Sequence, residues 1–173
     1  MELVSTSKDF YILRLDPGEE LRQEVEKFCK EQGINAAWVN ALGSCKELEL
    51  AYYNLEKKEY ETKTFSERLE IVTAVGNIAL KDGESLDKTQ DLPFIHIHGT
   101  FSNSSMSVIG GHINRCIISA TCEVSLWKSE RAIRRKYDEF TGLHLMCSLN
   151  LNLCLAFSKQ NTRRGGVSWE SKR

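Results

Sequence analysis

The sequence predicts an α+β domain made of many short strands and one main helix. Three observations carry that expectation. A segment near the front repeats its apolar residues at helical spacing between recognisable start and stop signals. From Asn35 onward the chain changes to short runs of strand-forming composition, separated by turn formers and charges. A length of 173 residues with no shift in composition suits one core.

The first strand is "FYILRL". The helix follows in "DPGEELRQEVEKFCKEQG", where Leu21, Val25, Phe28 and Cys29 share a face. Asp16 is placed to cap its first turn, Pro17 suits the first helical position, and Glu19 completes a capping-box-like pattern. Gly33 can take the left-handed conformation that ends it. Strand runs follow: "AAWVNAL", "ELELAYYNL", "EYETKTF", "LEIVTAVGNIAL", "FIHIHGTF", "MSVIGGHI", "CIISATCEVSLW" and "GLHLMCSLNLNLCLAF". The last alternates, with Leu149, Leu151, Leu153 and Leu155 on one face. Between the last two lies "KSERAIRRKYDEF", which reads either as a second helix with a weak apolar stripe or as a charged loop. The domain is expected to span residues 1–157, with residues 158–173 a flexible polar tail.

A formal charge of −1 gives no overall attraction to nucleic acid or to anionic membranes, so any such contact needs a local patch. No stretch has the length and apolarity of a membrane span, and the N-terminus lacks the apolar centre of a signal peptide. The six cysteines stand singly among apolar neighbours, as small buried hydrophobes in a reducing compartment do. Cytoplasm is the expected location, with the nucleus left open.

Three of the four histidines fall within "FIHIHGTFSNSSMSVIGGHI". On a strand His96 and His98 share a face and Ile95 and Ile97 take the other, which is the natural core side. The serines and asparagine between the two strand runs predict a hairpin. A three-residue loop at Asn103, Ser104 and Ser105 would set His96 opposite His112, whereas a two-residue loop would turn His112 away unless a bulge restored the phase. Gly110 and Gly111 suit such a bulge or a close backbone approach. An H-x-H pair alone reads as polar surface. A third histidine behind a double glycine favours a three-nitrogen metal site at His96, His98 and His112, with zinc the first choice among divalent transition metals. His144 has no partner in sequence and reads as structural.

These residues resemble the plants-and-prokaryotes conserved (PPC) domain. The resemblance runs from "RLDPGEEL" through "NALGS", "ERLEIVTAVGNI", "HIHGTFSNSSMSVIGGHI" and "CEVSL" to "TGLHL", and its specific part is H-x-H followed by G-G-H. It implies a strongly bent antiparallel sheet with a helix packed on it, assembled as a homotrimer. It also implies that His96, His98 and His112 bind metal in stand-alone members. In plant members the equivalent of "ERLEIV" is linked to partner association, which draws attention to Arg68 and Glu70. The minor-groove hook of those proteins needs an R-G-R-P-like core, and neither "TRRGG" nor "SKR" supplies one.

Two functional classes follow. The first is an oligomeric, metal-binding regulatory or DNA-associated module, with Lys128, Arg131, Arg134, Arg135 and Lys136, and Arg163 and Arg164 of the tail, as phosphate-contact candidates. Glu130, Asp138 and Glu139 dilute that cluster. The second is a metal-dependent, hydrolase-type enzyme acting on a small molecule, for which Glu70 or Glu123 would be the general base.

Overall fold

Helix α1, Leu21–Glu31, turns Leu21, Val25, Phe28 and Cys29 inward, the four residues its periodicity marks. The computed structural model describes residues 1–81 and 92–147. At the C-terminus of α1, Ile34 N donates to Cys29 O and Gly33 N to Lys30 O, a Schellman arrangement around Gly33 at φ 61°. The N-terminus differs from expectation. Glu20 is the cap and accepts from Gln23 N, so Pro17 lies outside the helix. Glu19 does reach back to Asp16 N, at 2.8 Å, but it closes a separate turn in which Gly18 has φ 91°. A positive φ there and an extended Glu20 delay the helix to Leu21.

The strands are β1 (Glu2–Thr6), β2 (Phe10–Leu15), β3 (Ala36–Asn54), β4 (Glu59–Phe65), β5 (Leu69–Lys81), β6 (Leu92–Ser102), β7 (Val108–Lys128), β8 (Arg134–Asp138) and β9 (Leu143–Cys147). Two pairs of sequence runs fuse. "AAWVNAL" and "ELELAYYNL" become the single long β3, and "MSVIGGHI" and "CIISATCEVSLW" become β7. Register shifts between Gly43 and Cys45 and between Cys45 and Glu47 carry the paired strands through their polar middles instead of breaking them. Those irregularities bend the sheet, and its pairings close a circuit from β3 to β5, β6, β7 and back to β3. The interior holds Ile95, Ile97, Phe101, Ile113, Ile118 and Val124, with the apolar face of α1 completing it.

The segment "KSERAIRRKYDEF" forms no helix. Its centre is β8, which pairs with β9 and lies parallel to β5 at Leu80 and Lys81, so the sheet is mixed by one short contact. An available edge on β5, with Leu80 N donating to Ile133 O, outweighs the helix propensity of a segment lacking an apolar stripe. The strand β1 is one that composition did not mark. The alternating run from Leu149 to Leu155 and the tail from residue 158, with Arg163 and Arg164, lie outside the described residues. Among the described residues no helix is long and apolar enough to cross a membrane.

The β6–β7 hairpin has a five-residue loop, residues 103–107, between Ser102 and Val108. Asn103 Oδ1 accepts from Ser105 N and Ser107 N, both at 3.1 Å, and Met106 takes a positive φ of 60°. His98 therefore faces His112, and the expected His96–His112 pairing is displaced by two residues, which keeps His112 on the same face. No bulge interrupts this ladder. The glycines serve close approach instead: a side chain on Gly110 would stand 2.8 Å from Gly99 O. Gly110→Ala is expected to destabilise the fold by about 1–3 kcal/mol through forced separation of β6 and β7, read as a lowered denaturation midpoint with unchanged m-value.

Candidate metal centre

β6 runs beside β7 only from His98 to Ser102. Beyond His98 the strands part, and β7 continues along β3 while β6 keeps only β5 as partner. The histidines sit at this fork. His98 and His112 form the last cross-strand pair, and His96 lies just past it on the same face. Ile95 and Ile97 are fully buried on the other side, as alternation requires.

The three rings lie mutually close, with centroids 5.0 Å apart for His96–His98 and 5.2 Å for each of the other two pairs. One ligand nitrogen from each falls within 4.8 Å of the others. His96 Nε2 and His98 Nε2 are 3.2 Å apart, close to the roughly 3.3 Å implied between two nitrogens of a tetrahedral site with Zn–N near 2.0–2.1 Å. His98 is exposed, His96 half-buried and His112 buried. The Nδ1 atom of His112 is buried without a hydrogen-bond partner. Donor type, spacing and this unpaired nitrogen all fit a divalent transition metal.

Several elements wall the site. From β8, Arg135 Nη2 approaches His96 Nδ1 at 3.3 Å and donates to Asn77 Oδ1 at 2.8 Å, while Nη1 donates to His144 O at 3.0 Å. The β8–β9 hairpin is held across this face by Tyr53 Oη and Lys58 Nζ, which donate to Thr141 O and Glu139 O. From β4, the Tyr60 ring lies 5.2 Å from that of His112, past the small Ala51 that separates the two strands. Helix α1 fills the fork: Glu26 accepts from Ile95 N at 3.0 Å on the open edge of β6, and Arg22 donates to Asn114 O at 2.9 Å.

A guanidinium only donates, so neutral His96 accepts at Nδ1 and carries its proton on Nε2, from which it donates to His98 Nε2. Burial above all, then the positive charge of Arg135, pushes His96 down to about 4. Burial and the neighbouring rings push His112 down to about 4 as well. Both rings are therefore neutral near pH 7, the form in which imidazole ligates. Burial also raises the Glu26 carboxyl and the Tyr60 phenol above their usual ranges.

The other sequence candidates fall elsewhere. Glu70 pairs with Ser102, well along β5 from Val75, which faces His98. Glu123 pairs with Arg14 and Leu42. Neither carboxylate belongs to the site. Arg68 and Glu70 line a separate groove with Ser44, Ser102 and Ser119. Arg135 is 6 % exposed and turned toward His96, so it is no part of a solvated basic face. Asn77, Tyr60 and Arg22 carry no local mark in the sequence, since what brings them here is strand pairing and helix packing.

The depressed histidines set a pH dependence. The unfolded chain takes up protons near pH 6.5 that buried His96 and His112 refuse until about 4. The metal-free protein is thus expected to be fully stable above pH 6.5 and to lose stability as pH falls toward 4. Thermal melts under chelation check this, and His112→Gln should flatten the slope.

The profile of the Plants and Prokaryotes Conserved (PCC) domain matches residues 3–130. The bifunctional protein GlmU of Synechococcus sp. (strain JA-3-3Ab) is 33% identical over 135 residues, covering 76% of this chain and 19% of that protein. The chain thus matches about one fifth of the length of its curated relatives. Among solved structures, a metal-containing protein from Archaeoglobus fulgidus is 34% identical with a TM-score of 0.72, over 86% of this chain and 99% of that one. A candidate DNA-binding protein from Bacteroides thetaiotaomicron VPI-5482 is 29% identical with a TM-score of 0.74, over 83% and 94% of the two chains. A profile matched over most of the chain, on a fold shared with these structures, makes this protein a member of the Plants and Prokaryotes Conserved domain family.

Proposed function

We propose that this chain is a metal-binding regulatory module that holds a zinc-like divalent ion through His96, His98 and His112. The observation that carries this is the convergence of three imidazoles at the β6–β7 fork, with ligand nitrogens within 4.8 Å of one another. The metal-containing relative from Archaeoglobus fulgidus supports it. A bound ion would supply Lewis acidity and a fixed positive charge. The chain's own residues set the rest: burial keeps His96 and His112 neutral, and exposure of His98 leaves the site open on one side.

Assembly as a homotrimer, which the family resemblance implies, finds support in an apolar patch on the histidine face of the sheet. Trp38 and Trp127 pair across β3 and β7 yet remain 51% and 45% exposed, and Trp38 also pairs with Asn77 beside His96. Location in the cytoplasm or nucleus agrees with the buried free thiols of Cys29, Cys45, Cys116 and Cys122. Hydrolysis of a small molecule is the weaker reading, because Glu70 and Glu123 lie away from the histidines and Glu26 is engaged by Ile95 N.

Elemental analysis of the purified protein should find about one transition-metal ion per chain and little in His96→Ala; equal metal content in both would defeat the proposal. Light scattering of the same samples should return the mass of three chains, and a single-chain mass would remove the trimer.

A DNA-associated role draws on the Bacteroides relative. Among the described residues, the basic candidates other than Arg135 are Lys128, Arg131, Arg134 and Lys136, and the neighbouring Glu130 pairs with Lys8 at 3.8 Å. Phosphate-driven binding by a few such contacts predicts a gel shift that weakens steeply between 50 and 200 mM salt, roughly tenfold or more. A salt-insensitive shift, or none, counts against it.

A further inference from the structure

Arg135 is the most buried charged side chain among the described residues, at 6 % exposure. Among the described residues no ion pair includes it: its hydrogen-bond partners there are a backbone carbonyl, an amide oxygen and a ring nitrogen, all uncharged, and its Nε has none. A guanidinium taken out of water without an anion is costly. A second one stands nearby. Arg22 is 20% exposed, its Nε is likewise buried without a partner, and Glu26 attends it only at 4.0 Å. Both guanidiniums lie over the Phe94 ring, 5.8 and 5.9 Å from its centre. Phe94, His96 and His98 project from the same face of β6.

Among the described residues, the buried side-chain polar atoms that lack partners are Arg22 Nε, Arg135 Nε and His112 Nδ1. Each belongs to a group bordering the histidine cluster. Both arginine nitrogens are obligate donors, so what the site lacks is an acceptor. Among the described residues no carboxylate joins the three histidines, and a divalent ion held by them alone would keep its full charge. A ring that ligates through Nε2 also carries its proton on Nδ1. His96 Nδ1 would then stop accepting from Arg135, leaving Nη2 one partner fewer.

We infer that the three-histidine site takes its ligand as a small oxoanion, a carboxylate or a phosphate, anchored by Arg135 with Arg22 beside it. The inference rests on the metal reading above for the ion, and on this chain's own unpaired cations for the anion. Arg135 is the principal binding residue, because Arg22 already has a carboxylate near it. Asn77 orients Arg135 through the 2.8 Å bond to Nη2.

The test uses the full-length protein loaded with cobalt(II), whose visible spectrum reports its coordination. Sodium acetate, sodium phosphate and neutral acetamide are titrated separately at constant ionic strength. A saturable spectral change is expected with acetate or phosphate and none with acetamide, and the stronger response identifies the class of anion. Arg135→Gln should weaken that binding tenfold or more, while Arg135→Lys, which keeps the charge, should weaken it less. No saturable change with either anion, or equal affinity in Arg135→Gln, would overturn the inference. Should Arg135→Gln not fold, the metal-free wild-type protein decides. Its melting temperature should rise with low-millimolar amounts of the favoured anion and not with acetamide, and no rise overturns the idea. Failure of cobalt to load defeats the metal reading alone, since the melting measurement tests the anion without it.

Discussion

The site depends on the register of one hairpin. Side chains on a strand alternate with a period of two, so His112 joins the face of His96 and His98 only if the loop between β6 and β7 has an odd number of residues. The loop has five, held by Asn103 Oδ1, which accepts from two backbone amides and from the Ser105 hydroxyl. A slip of one residue would drive His112 into the core and turn Ile113 out. The Gly99–Gly110 approach lets the two strands meet just beside the pair of histidines.

The fork that follows the pair gives the helix a purpose beyond covering the core. Where β6 parts from β7, the backbone of Ile95 would lose its ladder partner in a partly buried place. Glu26 supplies the acceptor from α1, and the residue one turn earlier, Arg22, is carried with it to the neighbourhood of His96 and His112. Satisfying one edge amide and positioning one cation are thus consequences of the same packing.

Charge gives the histidine cluster its second characteristic. Three imidazoles, two guanidiniums and a phenol surround it, and the Glu26 carboxylate of α1 is committed to the Ile95 amide and to Arg22. Two guanidiniums beside a cluster that no carboxylate joins among the described residues favour ligands that bring negative charge. They also disfavour protonated histidine, which keeps the rings ready to ligate near neutral pH.

Local pattern alone determined the α1 face, the inward Ile95 and Ile97, the common side of His96 and His98, and the left-handed Gly33, because these follow from the periods of helix and strand and from one residue's freedom at φ. The sequence by itself also singled out His112 as the third member, yet left its face hanging on an undetermined loop length. Tertiary structure decided that parity, merged the runs of β3 and β7 through their bulges, and made β8 a strand by offering it the edge of β5. It alone brought Tyr60, Asn77, Arg22 and Arg135 to the histidines. Those contacts join residues separated by tens of positions, with no repeat or motif between them, and only the closing of the sheet and the docking of the helix bring them within reach.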